Sequence, residues 1–122
     1  MIISDLVAGP PLGCRSDIPL TEAAAKMIAE GVGSLAVIDG ERLIGIVTDR
    51  DIVQSVADST ALELTVGDVM TTEPDTVGPD LKISDAVDWL NATGYRHLPV
   101  TDGKQLVGIV SVKDLLWAIS EV

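Results

Sequence analysis

The sequence predicts a small mixed α/β (α+β) fold, built from two repeats packed through their sheets, each a strand or loop followed by helix, hairpin and helix (β-α-β-β-α). Three observations lead there. The second half of the 122-residue chain repeats the first without a gap. Each half carries two short apolar runs joined by Asp-Gly, the strong short-range signal of a β-hairpin. Each hairpin is flanked by segments whose apolar residues recur at helical spacing. A repeat of about 60 residues buries too little surface to stand comfortably alone, so the copies are expected to pack as one module spanning 1–122.

The repeat is read by laying residues 1–59 on residues 64–122. Asp5 then meets Asp68, Pro11 meets Pro74, Asp17 meets Asp80 and Gly31 meets Gly94. Asp39-Gly40 meets Asp102-Gly103, Gly45-Ile46-Val47 meets Gly108-Ile109-Val110, and Asp51 meets Asp114. Matches at Asp and Gly carry the argument, because they fall where turns and caps need special chemistry, whereas apolar matches also arise from shared periodicity.

Within each copy the elements follow in order. Ala8–Pro19 and Thr71–Pro79, rich in Pro, Gly and Thr, read as extended connections into a helix. Thr21–Glu30 and Ser84–Thr93 read as helices, each opened by a hydroxyl residue suited to the N-cap and closed by Gly31 or Gly94 as a left-handed C-cap. Strands follow at Leu35–Ile38 and Leu43–Val47, and at Leu98–Thr101 and Leu106–Val110. Gly45 and Gly108, single glycines inside strands, mark close approach of another backbone or a ligand. A last helix starts near Asp49 or Val112 and is expected to bury Ile52, Val53 and Val56 in the first copy, and Leu115, Leu116 and Ile119 in the second.

Composition narrows the function. Apolar residues make up 47% of the chain but aromatics only 2%, so the core must be aliphatic. Eight Lys and Arg against 19 Asp and Glu give a formal charge of −11, which repels a nucleic-acid backbone. The longest apolar runs have about five residues where a membrane span needs roughly 20. No secretory signal is visible, and the single cysteine, Cys14, forms no internal disulfide, so a cytoplasmic setting is expected. No metal site is expected, since His97 is the only histidine and no Cys and His cluster accompanies it. Acids, bases and nucleophiles form no recognisable catalytic constellation, so the chain is not expected to be an enzyme.

The chemistry-bearing positions cluster after the hairpins. Thr48-x-x-Asp51 and Ser111-x-x-Asp114 read as capping boxes with Asp in place of the usual Glu. Their helix starts, with unpaired amides, also attract phosphate. Arg50 and Lys113 lie inside these motifs as local cations. Arg96 and His97 stand together before Leu98-Pro99-Val100, the histidine with a charge that varies near neutral pH. Cys14 reads as a small apolar filler, and Trp89 and Trp117 as helix residues used in packing.

The repeated GIVTDRD at Gly45–Asp51 and GIVSVKD at Gly108–Asp114, with DVMT at Asp68–Thr71, TVGPD at Thr76–Asp80 and YRHLPV at Tyr95–Val100, resemble the cystathionine-beta-synthase (CBS) domain pair, or Bateman module. The resemblance covers essentially the whole chain, with 1–59 as the first repeat and 64–122 as the second. It implies a pseudo-twofold unit with a cleft on each side, where adenosine ligands such as AMP, ADP, ATP or S-adenosylmethionine bind. It implies that Asp51 and Asp114 hold ribose hydroxyls, that Thr48 and Ser111 face phosphate or ribose, and that Arg96 and His97 contact phosphate. The first copy departs from the pattern: Gly33, Ser34 and Ala36 stand where the second has Arg96, His97 and Pro99. The expected function is regulatory. A nucleotide, with or without magnesium, binds in the cleft between the repeats, and a conformational shift signals to a regulated protein. The rival reading is a dimerisation scaffold with empty clefts. Surplus apolar surface on the helices points to a homodimer.

Overall fold

The computed structural model describes residues 1–7 and 12–120, so the part of the predicted Ala8–Pro19 connection at 8–11, with its Pro11 match, lies outside the described residues. A 3-10 turn at Ile3–Leu6 is followed by β1 (Gly13–Cys14), α1 (Leu20–Glu30), β2 (Ser34–Asp39), β3 (Arg42–Thr48) and α2 (Asp49–Ala57). Then come α3 (Val66–Val69), β4 (Thr71–Thr72), α4 (Ile83–Thr93), β5 (His97–Asp102), β6 (Gln105–Ser111) and α5 (Val112–Ser120). The repeated helix, hairpin, helix order expected from the sequence is present twice.

The chain forms two compact units whose limits differ from those of the sequence period. One is continuous, Leu12–Pro74; the other is split, joining Met1–Pro11 to Asp75–Val122. Each helix-hairpin-helix is completed by the leading segment of the other repeat.

In the continuous unit β2 and β3 pair antiparallel from Ser34 opposite Thr48 to Asp39 opposite Arg42, β1 runs parallel beside β2, and β4 pairs with β3. Leu20, Ala23 and Met27 of α1 close over Leu35, Val37 and Val47, and Val66 of α3 joins them. In the split unit β5 and β6 pair from His97 opposite Ser111 to Asp102 opposite Gln105, and Val77 bridges Val100 in parallel. There Ile83, Ala86 and Leu90 of α4 meet Leu98, Val100 and Val110, with Leu115 and Ala118 of α5 and the fully buried Ile3. Both cores are aliphatic, and in β2 and β5 the buried pairs Leu35/Val37 and Leu98/Val100 share one face by the two-residue strand period. Register shifts at Val37/Ile38 and at Val100/Thr101 place equivalent bulges in both hairpins.

Several local expectations are revised. Thr21 and Ser84 do not cap their helices: α1 and α4 begin one residue earlier, and their N-caps, Pro19 and Lys82, make no side-chain cap bond. The backbone supplies the cap instead. Leu20 N–H donates to Leu64 O at 2.9 Å, and Ile83 N–H donates to Met1 O at 3.3 Å. Hydroxyl caps are dispensable once a neighbouring strand-like segment accepts an orphan helix amide. The hairpin turns also shift by one residue. Asp39 and Asp102 are the last strand residues, and the connections are Gly40-Glu41 and Gly103-Lys104, with φ of 65° and 63° at the glycines.

The last helices bury less than expected. Ile52 is half-buried and Leu115 is buried, but Val53 and Val56 are 66% and 63% exposed, and Leu116 and Ile119 are 61% and 49% exposed. The narrow inner face of each helix is filled by Ser55 on α2, and by Leu115 and Ala118 on α5. Trp89 is half-buried and packs beside Tyr95 with ring centroids 5.4 Å apart, whereas Trp117 is 56% exposed. The expected close approach of another backbone is present at Gly45, whereas at Gly108 the neighbour is a side chain instead. A Cβ on Gly45 would sit 2.6 Å from Met70 Sδ and 2.9 Å from Thr71 O, and one on Gly108 would sit 2.6 Å from Val7 Cγ1.

Two outcomes follow from this packing. Ile3→Ala is expected to cost about 2–5 kcal/mol, the usual range for emptying a buried aliphatic position. Hydrogen exchange should accelerate more in α4, β5 and β6 than in α1 and β2, although Ile3 belongs to the first sequence repeat. Gly45→Ala should cost about 1–3 kcal/mol in chemical unfolding, because the backbone oxygen of Thr71 cannot swing aside as a side chain can.

Candidate ligand-binding site

Both Ser/Thr-x-x-Asp motifs sit at a strand-to-helix junction, where extended backbone at the hydroxyl residue turns into a helix. Thr48 is the N-cap of α2. Its N–H donates to Asp51 Oδ2 at 2.8 Å, and Asp51 N–H returns to Thr48 Oγ1 at 3.3 Å. Ser111 and Asp114 repeat this at the start of α5, at 2.9 Å and 3.2 Å. The capping-box expectation is therefore realised at both positions. Thr48, Asp51, Ser111 and Asp114 are half-buried, while Arg50 and Lys113 are exposed.

In each box one carboxylate oxygen, Oδ2, accepts the cap bond. The other oxygen leaves acceptor capacity for ligand hydroxyls, which a charged carboxylate binds strongly. Helix capping and ligand contact can thus be carried by the same side chain.

The hairpins bring further residues to these junctions. His97 lies opposite Ser111 in the β5/β6 ladder, and Arg96 O accepts from Val112 N–H at 3.0 Å, so both basic residues stand next to the Ser111 box. Arg96 is exposed and His97 half-buried. In the continuous unit Ser34 lies opposite Thr48, and Gly33 O accepts from Asp49 N–H at 2.9 Å. The backbone is the same in both units, but only the split unit carries the basic pair.

Two features add to the sequence reading. Asp49, the first residue of α2, was not singled out by either motif; laying Asp49 against Val112 exposes it as a charge present in one repeat alone. Cys14 pairs with Val37 just as Val77 pairs with Val100, the aligned position. Burial pushes the Cys14 thiol above its ordinary range, partly offset by Lys26, whose ammonium donates to Gly13 O. Two concave regions lie elsewhere. One of about 420 Å³ borders Arg15–Asp17 and Ile38–Gly40, at the turn end of β2, and one of about 680 Å³ borders Met1, the start of α4 and Ile119. Neither includes a residue of the two boxes. Among the described residues no group of three or more His, Cys, Asp or Glu is placed to hold a metal ion, and no helix is long and apolar enough to cross a membrane.

Two units that share a helix, hairpin, helix layout, each with a boxed helix start beside its hairpin, define a tandem-repeat module. The family model of the CBS domain matches residues 3–58 and again residues 66–121, and the chain belongs to the CBS domain family, carrying the domain twice. An uncharacterized 17.7 kDa protein of Acidianus ambivalens is 39% identical over 111 residues, which cover 88% of this chain and 66% of that protein's length. The CBS domain pair of protein MJ0100, solved in complex with 5′-methylthioadenosine and S-adenosyl-L-methionine, matches with a TM-score of 0.91 at 25% identity, over 99% of this chain and 97% of that one. The CBS domain protein PAE2072 from Pyrobaculum aerophilum, complexed with AMP, shares the fold over 100% of both chains, with a TM-score of 0.87 at 22% identity.

The Cys14 environment predicts slow chemistry. Its raised thiol is mainly protonated at neutral pH, so alkylation by iodoacetamide at pH 7 should run slower than that of an unperturbed thiol, and the rate should level off only at a pH above the ordinary thiol range. Thr48→Ala should cost about 1 kcal/mol in chemical unfolding through loss of the cap, with Thr48→Ser close to neutral.

Proposed function

We propose that this chain is a regulatory module that binds an adenosine nucleotide of the AMP, ADP or ATP class, with or without magnesium, at its Ser/Thr-x-x-Asp motifs and passes that state to a partner protein. The observation that carries the reading is the convergence of Arg96, His97, Ser111, Lys113 and Asp114 on one hairpin end and helix start. Adjacent ribose hydroxyls match the Asp114 carboxylate, while Arg96, His97 and Lys113 match phosphate. The adenosine compounds bound by the MJ0100 pair, a relative in fold at 25% identity, support the nucleoside part of the ligand.

Signalling would act by population shift, since a ligand changes an equilibrium only by binding one arrangement more tightly than another. A homodimer is part of the proposal. Ile28, Val53 and Val56 in the continuous unit, and Leu116, Trp117 and Ile119 in the split unit, leave large apolar side chains 49–85% exposed on helices. The single cysteine fits a reducing cytoplasm.

Thermal unfolding with millimolar AMP, ADP, ATP or S-adenosylmethionine tests the nucleotide reading. A ligand at about 100 times its dissociation constant adds roughly 2.7 kcal/mol and should raise the midpoint by several degrees. Asp51→Asn and Asp114→Asn, which keep an acceptor for the cap, should lose the shift at the working motif. No shift with any ligand would favour the scaffold reading. Light scattering at low micromolar concentration should give twice the chain mass, returning to one chain mass in Val53→Asp or Leu116→Asp; a monomeric wild type would refute the dimer.

A further inference from the structure

At the turn end of the first hairpin, wholly within the continuous unit, lies a cavity of about 420 Å³, inside the size range of small-molecule sites. A bulge shapes its floor. Val37 pairs with Gly45 and Ile38 with Leu43, so Ile44 is the extra residue of β3, re-aimed to stand with Ile38. Both isoleucines are half-buried. The wall is the 15–17 loop, which backbone bonds hold in place: Ser16 O accepts the Gly67 N–H at 2.8 Å, and Ile18 O accepts the Val66 N–H at 3.0 Å.

The rim carries one cation and two carboxylates, all exposed. Arg15 donates through Nη2 to Asp17 Oδ2 at 2.6 Å, which leaves the rest of its N–H fork and the other Asp17 oxygen for a ligand. Among the described residues the Asp39 carboxylate has no hydrogen bond or ion pair. The second repeat keeps Asp80, Asp102 and Gly103 but has Gly78, Thr101 and Val107 where the first has Arg15, Ile38 and Ile44. The carboxylates are thus common to both hairpins, while the cation and the two isoleucines are particular to this cavity.

We infer that the cavity binds a free α-amino acid with an aliphatic side chain. The ammonium meets Asp39 and the open oxygen of Asp17, the carboxylate meets the Arg15 guanidinium, and the side chain lies on Ile38 and Ile44. A simple anion would face two carboxylates for one cation, on a chain of formal charge −11, and a simple amine would leave Arg15 unanswered. The zwitterion answers both signs. This site is separate from the Ser/Thr-x-x-Asp motifs, none of whose residues line it.

Titration of the isotope-labelled chain with L-leucine, followed through its amide chemical shifts, tests the assignment. Saturable shifts are expected at residues 15–17 and 38–44 at millimolar ligand. Isoamylamine and isocaproate, which are leucine without its carboxylate and without its ammonium, should each bind about tenfold or more weakly, through loss of one charge-assisted contact. Arg15→Gln and Asp39→Asn should each weaken leucine by about the same factor. Arg15→Gln should not weaken isoamylamine, nor Asp39→Asn isocaproate. Both positions are exposed, so both variants should keep the wild-type unfolding midpoint. Asp102→Asn, the equivalent change in the second hairpin, should leave leucine binding unaltered. The absence of saturable shifts at these residues, or a leucine affinity that ignores both Arg15→Gln and Asp39→Asn, would overturn the site. Equal binding of leucine and the two truncated compounds would also overturn it, by reducing the cavity to an apolar surface.

Discussion

A helix amide satisfied by a carbonyl from the other repeat is the constraint on which this structure turns. The first amides of α1 and α4 have no side-chain caps, and Leu64 O and Met1 O receive them. That bond fixes where each leading segment must lie, and the apolar side chains on the same segment follow it inward. Ile3 and Val66 become fully buried in the cores of the split and continuous units. Neither sequence repeat therefore owns a complete core. The pairs that complete it, such as Ile3 with the α4 and β5 cluster, lie far apart in the chain, so loop-closure entropy must be met before they contribute.

The aliphatic composition serves this arrangement. With no Phe in the chain, both cores are filled by Leu, Ile, Val, Ala and Met, and close contacts fall where glycine permits them. Met70 and the Thr71 backbone press on Gly45, and Val7 presses on Gly108. These are again contacts between a hairpin and the other repeat's leading segment, so glycine inside a strand has a steric reason as well as a place in the motif. The last helices have only a narrow inner face, which leaves Val53, Val56, Leu116 and Trp117 outward.

At the candidate site, economy comes from sharing. Each Asp of a capping box engages one oxygen in its helix cap and leaves the other with acceptor capacity, so one side chain can serve both stability and the proposed binding. What separates the motifs is their surroundings: a basic pair and Val112 at one, Gly33, Ser34 and Asp49 at the other.

Much of this was legible in the residues. The gapless repeat, the glycine C-caps at Gly31 and Gly94, the Asp-Gly hairpins and the two capping boxes are local features, governed by backbone conformation and hydrogen bonds within a few residues, and local chemistry is written in local sequence. The placement of Arg96 and His97 beside Ser111 did not follow, because it depends on a turn one residue later than the Asp-Gly step and on a bulge at Val100/Thr101. The helix N-caps did not follow, since Thr21 and Ser84 gave a sound local signal that a distant carbonyl displaced. Nor did the burial of the last helices, because helical spacing shows which residues share a face but not how wide a face the core will cover. Sequence alone determined the two helix-hairpin-helix sets, their order and the local chemistry of each motif; the 3-10 turn at Ile3–Leu6 and α3 were not read from it. Only the tertiary structure decided which leading segment completes which core, because that depends on long-range pairing between carbonyls and amides that look alike in every repeat.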